Sequence, residues 1–224
     1  MHVIYGGTFD PVHHGHLRLA LEVSERLGKV PVSLVPCHIP PHRGQTGATA
    51  AQRLRLLELA IEGEPRLSID DRELRREGAS YTADTLRQLR GELGADIPLV
   101  MVVGTDAFAG FDKWKEWQKI SGLAHIIVVR RPGAELDPVG EPARLLAERG
   151  VGNDTGSEAG NIEALSREVS GRILELDPPW LDISATGIRE RIGSGRSPRY
   201  LMPDRVWVEI QRMGLYGACP VKNF

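Results

Sequence analysis

Gly6-Gly7-Thr8-Phe9-Asp10-Pro11-Val12-His13-His14-Gly15-His16-Leu17 follows the apolar run Val3-Ile4-Tyr5 and leads into Arg18-Leu19-Ala20-Leu21-Glu22-Val23. The apolar run reads as a first β-strand. The later residues, apolar at helical spacing, read as a helix over about 15–27. A strand, a glycine turn and a helix start together form an anion site. Glycine lets the backbone approach a phosphate closely, and the first helical N–H groups have no internal partner. His13 and His16 stand three apart in the first turn and face one side. The arrangement suits a nucleoside triphosphate.

Working outward, strands and helices alternate. Val32–Val35 is a second strand, followed by a loop rich in proline and glycine over 36–47, and then by a helix over about 50–62 with Thr49 as N-cap. Leu67–Ile69 is a short strand, and the charged residues 70–79 are expected to be exposed. A helix over about 82–93 starts at Ser80 or Thr82. Ile97–Val103 and Ala124–Val129 are continuous apolar runs of the kind a buried parallel strand needs. This rhythm predicts an α/β protein with a Rossmann-like, doubly wound parallel sheet, helices on both faces and a small helical C-terminal part. Right-handed crossovers place every strand C-terminus, and so the glycine turn, along one rim. We read residues 1–217 as one domain. Residues 133–171 break the rhythm like an insert, with helices near 142–149 and 161–169 and a mobile loop over 150–156, and 218–224 is a tail.

Composition narrows the class. The chain has 224 residues and a net charge of −2 with no basic run, so no nucleic-acid partner is expected. No apolar stretch reaches the 18 or so residues of a membrane span, and the N-terminus lacks the features of a signal peptide. Cys37 and Cys219 form no disulfide framework. A cytoplasmic location follows by default.

A second stretch, Asp182-Ile183-Ser184-Ala185-Thr186-Gly187-Ile188-Arg189, follows the strand Arg172–Leu176 and a Pro178-Pro179 turn. Ser184 or Thr186 caps a helix whose first turn carries Arg189, which has the forked donors that match phosphate oxygens in pairs. Two such helix starts on one rim would clamp both ends of a polyphosphate. The histidine pair lacks a third ligand at zinc spacing, so no protein-held metal is expected.

The chain resembles the bacterial nicotinate-nucleotide adenylyltransferases of the nucleotidylyltransferase superfamily. Gly6-Gly7-Thr8-Phe9-Asp10-Pro11 with His13-x-Gly15-His16, and Ile183-Ser184-x-Thr186-x-x-Arg189, are similar to the superfamily's two signatures. The nicotinate branch is carried by Pro40-Pro41-His42-Arg43, Ser80–Leu86, Gly104-Thr105-Asp106, Trp114 with Trp117, and Arg130-Arg131-Pro132-Gly133.

The resemblance implies transfer of the AMP part of ATP to nicotinate mononucleotide, with magnesium delivered on ATP. It places His13, His16 and Arg189 at the reacting phosphates. Gly6, Gly7, Thr8, Phe9, Gly104, Asp106, Ser184 and Thr186 fall around ATP, with the Asp106 carboxylate on ribose hydroxyls. The acceptor falls to His42 and Arg43, to the Trp114 ring, and to the backbone amides of Thr82 and Lys115, the last standing where some relatives carry an aromatic residue. Two alternatives stay open: the same chemistry on nicotinamide mononucleotide or on another phosphate ester such as phosphopantetheine, and a silent nucleotide-binding regulatory module.

Overall fold

A computed structural model describes residues 1–39, 46–151 and 158–219. In chain order the elements are β1 (His2–Gly7), α1 (His14–Arg26), β2 (Val32–Pro36), α2 (Ala50–Ile61), β3 (Leu67–Ile69), α3 (Thr82–Leu93), β4 (Leu99–Gly104), the short α4 (Thr105–Phe108), α5 (Trp117–Leu123), β5 (His125–Val129), α6 (Glu141–Arg149), β6 (Gly150–Val151), α7 (Glu158–Arg167), β7 (Ile173–Leu176), α8 (Ala185–Gly193) and α9 (Asp204–Met213). The strands form one sheet in the order β3-β2-β1-β4-β5-β7-β6, and every neighbouring pair is parallel. The order reverses between β1 and β4, and such a switch point opens a crevice beyond the strand ends.

Alternation along the strands divides the core in two. Val3, Leu34, Val100, Val102 and Ile127 face α1, α2, α8 and α9, where Leu19, Val23, Leu56, Ile188 and Val206 cover them. Ile4, Val35, Met101, Val103 and Ile126 face the opposite way, against Leu86 and Leu89 of α3 and against Phe108, Phe111 and Ile120. Helices on both faces explain why β4 and β5 read as continuous apolar runs.

Thr49 caps α2 as expected, in a reciprocal capping box with Gln52. Two boundaries differ from the sequence expectation. Pairing in β4 begins at Leu99 rather than Ile97, because Pro98 has no N–H to give and offers only its carbonyl, which His2 N–H reaches at 2.8 Å. α3 starts at Thr82, one of the two residues expected there, behind the N-cap Tyr81, which makes no side-chain cap bond. Gly150–Val151, expected in a mobile loop, pairs with Ile173 and Leu174 as the edge strand β6. The rest of that expected loop, 152–156, lies outside the described residues, as does most of the 218–224 tail.

The 133–171 stretch is also packed into the body. Leu145 and Leu146 of α6 lie against the α3-side core, and Leu165 of α7 is fully buried on the other side. Leu165→Ala should therefore cost about 3 kcal/mol, the usual cost of emptying a buried leucine site. A midpoint in chemical denaturation unchanged from the parent would show that α7 is only appended.

Candidate active site

The glycine turn is built by mutual exclusion of side chains. A Cβ on Gly7 would stand 2.9 Å from the Phe9 ring, and one on Gly15 would stand 3.0 Å from the His13 ring. Nothing lies within 4 Å of a Cβ built on Gly6, which borders the open cleft. Phe9 holds a left-handed backbone (φ 50°) with its side chain buried, and the Asp10–Pro11 peptide is cis. His13 is the extended N-cap of α1 and makes no side-chain cap bond. Its ring stacks on that of His16 with centroids 3.7 Å apart, and Phe9 meets His16 edge-on at 5.1 Å.

Burial, helped by the charges of His14 and Arg131, lowers the His13 pKa to about 4. His13 is therefore neutral near pH 7, and its Nδ1 has no hydrogen-bond partner. The neutral ring, stacked on His16, shapes the turn and keeps one N–H donor.

The second corner is tied directly to this one. Ser184, not Thr186, is the N-cap of α8, with its Oγ accepting Gly187 N–H at 3.1 Å. Arg189 Nη1 donates to the Asp10 carbonyl at 2.6 Å, and Nη2 donates to Thr186 Oγ1 at 3.2 Å. The buried Asp10 carboxylate accepts Gly47 N–H at 2.8 Å and the Tyr216 hydroxyl at 2.7 Å. Arg53, wholly buried, donates to the carbonyls of Thr8 and Cys37 at 2.7 Å each and of His38 at 3.0 Å. It occupies the apolar stripe of α2 beside Leu56 and Leu57, and a lone arginine on such a stripe is its sequence signal.

Both corners open into one cleft of about 690 Å³ that also contains Gly104, Asp106, Thr82 and Trp114. Asp106 accepts Arg131 Nη1 at 3.0 Å, and the Arg131 guanidinium lies over the Trp180 ring at 5.4 Å. Trp114 borders the cleft, whereas Trp117 packs edge-on against Phe111. Lys115 turns its ammonium away, onto Asp84 at 3.1 Å and over the Tyr81 ring at 4.4 Å. Its charge is thus engaged elsewhere, leaving only its backbone for a ligand. His42 and Arg43 lie outside the described residues.

One expectation is overturned. Residues 70–79 are not simply a solvated face: Glu73 is 8% exposed, lines the cleft, and accepts the Thr85 hydroxyl at 2.6 Å. Burial raises its pKa against the pull of the Thr85 and Ser80 hydroxyls. Nothing in the local charge pattern separates it from Glu77, which is exposed.

Comparison with known proteins bears on the family and the fold. A Cytidylyltransferase-like family model matches residues 4–191. The nicotinate-nucleotide adenylyltransferase of Marinobacter nauticus is 66% identical over 223 residues, covering the whole of both chains. That of Cellvibrio japonicus is 47% identical over 95% of this chain and 97% of its own. Among solved structures, Plasmodium falciparum nicotinic acid mononucleotide adenylyltransferase complexed with NaAD superposes with a TM-score of 0.69 over 96% of each chain at 17% identity, a likeness of fold.

The His13 shift has a consequence for stability. The unfolded imidazole titrates near 6.5 and the folded one near 4. Between those values the unfolded state binds more protons, so stability falls as pH drops through that window. From pH 7 to pH 5 this single group should remove roughly 2 kcal/mol. In urea titrations at both pH values, His13→Asn should lose less stability on acidification than the parent. Equal losses would show that His13 is not held neutral.

Proposed function

We propose that this chain, which belongs to the nicotinate-nucleotide adenylyltransferase family, joins the AMP part of ATP to nicotinate mononucleotide, giving nicotinate adenine dinucleotide and pyrophosphate in a step of NAD biosynthesis. The observation that carries the reading is the docking of the α8 N-terminal turn onto the β1–α1 turn through Arg189 and the Asp10 carbonyl. Two helix N-termini then face one cleft, as gripping a triphosphate requires.

The reaction asks little of acid–base chemistry. Its nucleophile is a phosphate monoester, largely dianionic at neutral pH because its second pKa is about 6. The leaving group is pyrophosphate carrying magnesium. What remains is bringing two anions together in line and stabilising charge at the α-phosphorus. Magnesium enters with ATP as part of the substrate. It keeps much of its water and binds through phosphates, and the described residues hold no cluster of three His, Cys, Asp or Glu side chains to cage it.

In this reading His16 donates to the ATP phosphates while the neutral His13 ring fixes its plane. The backbone at Gly6, Gly7, Thr8 and Phe9 lies along the α-phosphate and adenosine. A guanidinium has five N–H donors, and Arg189 uses two of them on Asp10 and Thr186, leaving three for the β- and γ-phosphates beside Ser184 and Thr186. Gly104 and Asp106 take the ribose. On the acceptor side, the amides of Thr82 and Lys115 hold the nicotinate carboxylate, the N-terminus of α3 favouring an anion, and Trp114 stacks on the pyridine. Because its substrates are metabolites of the cell interior, the reading places the protein in the cytoplasm, with small molecules as its partners.

Incubation with ATP, magnesium and each mononucleotide, followed by mass analysis, tests the function. Nicotinate adenine dinucleotide and pyrophosphate are expected, with nicotinamide mononucleotide the poorer acceptor. ATP binding without any dinucleotide would instead indicate a silent module. His16→Ala should lower turnover on the order of a hundredfold, the usual cost of one oxyanion donor. Arg189→Ala should lower turnover and weaken ATP binding together. Near-normal kinetics in both variants would remove the assignment.

A further inference from the structure

Glu73 is a buried carboxylate in the cleft for which phosphoryl transfer between two anions has no evident use. The strand residues that share its lobe, Ile4, Val35, Met101 and Val103, are apolar and lie on the α3 face of the sheet. The hydrogen-bond inventory fixes how the carboxylate is held. Ser80 Oγ accepts His38 N–H at 2.9 Å, and Thr85 Oγ1 accepts Arg76 Nη1 at 3.3 Å. Both of those groups can only donate, so each hydroxyl proton is free to point elsewhere. The Thr85 proton goes to Glu73 Oε1, and the Ser80 hydroxyl bonds the same carboxylate. Burial is the largest influence and raises its pKa, while the two donated hydrogen bonds and the Arg76 charge favour the ionised form. Among the described residues, no basic side chain forms an ion pair with it.

The Arg76 charge acts on Glu73, but that guanidinium donates to Thr85 and Gln88 rather than to the carboxylate, and a buried anion without a direct ion pair is costly unless a ligand supplies the charge. The acceptor of the proposed reaction carries one: a pyridine nitrogen bonded to ribose is a permanent cation at every pH. In an apolar lobe its attraction to a carboxylate is weakly screened. Trp114, on the same lobe, also favours a cation over its ring.

We propose that Glu73 is the counter-charge for the N-ribosylated pyridinium of the acceptor, so that this lobe selects a cationic ring. The inference rests on the adenylyl-transfer reading above. It separates two tasks: the N-terminus of α3 distinguishes what the ring carries, and Glu73 distinguishes the ring itself.

The test compares nicotinate mononucleotide with its neutral isostere, a ribosyl benzoate 5′-phosphate in which carbon replaces the ring nitrogen. The parent protein should bind the pyridinium at least tenfold more tightly. Glu73→Gln should raise the KM for nicotinate mononucleotide about tenfold, leave binding of the isostere within twofold, and leave the KM for ATP unchanged. Glu73→Asp should restore part of the preference. Equal weakening of both acceptors would make Glu73 a wall residue and overturn the proposal, as would a Glu73→Gln variant with unaltered KM. Should the variants fail to fold, the parent alone decides, since indifference between the two acceptors refutes a counter-charge. A parent that makes no dinucleotide from nicotinate mononucleotide would refute the adenylyl-transfer reading instead.

Discussion

Two helix N-termini facing one cleft are like poles, and without an anion between them they repel. The structure meets this constraint with fasteners set around one residue. Arg189 reaches the Asp10 carbonyl across 179 positions of sequence, and the Tyr216 hydroxyl reaches the Asp10 carboxylate across 206. Gly47 N–H completes the set, and a Cβ there would stand 2.8 Å from the Tyr216 ring, so glycine is what lets the backbone approach. The buried Asp10 carboxylate is thus a resident negative charge beside two positive helix ends, holding the grip in shape before ATP arrives. Arg53 does the same for the carbonyls of Thr8, Cys37 and His38, none of which sits in a regular ladder of helix or sheet.

The strand order then divides the cleft between two faces of the sheet. Successive side chains of β1 face opposite sides of the sheet, Ile4 toward α3 and Tyr5 toward α1 and α8, the side on which Phe9 also packs beyond the strand end. The glycine backbone at the end of β1 borders both sides, and the proposed reaction would bring its two phosphates together there. The two-residue side-chain period of a strand is enough to give the two sides of one turn different linings.

Whatever depends on neighbours in sequence was legible. The strand–glycine turn–helix start, the Thr49 N-cap, the apolar β4 and β5 and the helix at Ser184 are local patterns, and the structure contains all of them. The pairing of the Ser184 corner with the glycine turn also followed, because parallel crossovers force strand ends to one rim. What escaped is non-local. Glu73 lies in a charged run and differs from its neighbours only through Ser80 and Thr85, which α3 brings back over it. Asp10 and Tyr216 are joined by folding alone. The edge strand β6 is two residues long, too short for any periodicity to register. Lys115 is exposed in sequence terms either way, and only the fold shows its ammonium engaged by Asp84 rather than turned to the acceptor.

The electrostatics around the α1 and α8 helix starts favour recognition by shape more than by net charge. His13 is neutral near pH 7, Arg131 is paired with Asp106 at 3.0 Å, and Arg189 lies 3.9 Å from the Asp10 carboxylate. The obvious cations are therefore balanced before any ligand binds. What is left uncompensated is oriented: helix-start amides and guanidinium N–H groups, whose fields fall off within a turn and reward only correctly placed oxygens. A lobe of bare cations would bind ATP and pyrophosphate alike. Binding both equally would lower the ground state with the transition state and slow the departure of product. Fixed dipoles around a balanced core instead favour the geometry in which charge builds at the α-phosphorus, and the fasteners on Asp10 serve to keep those dipoles from turning.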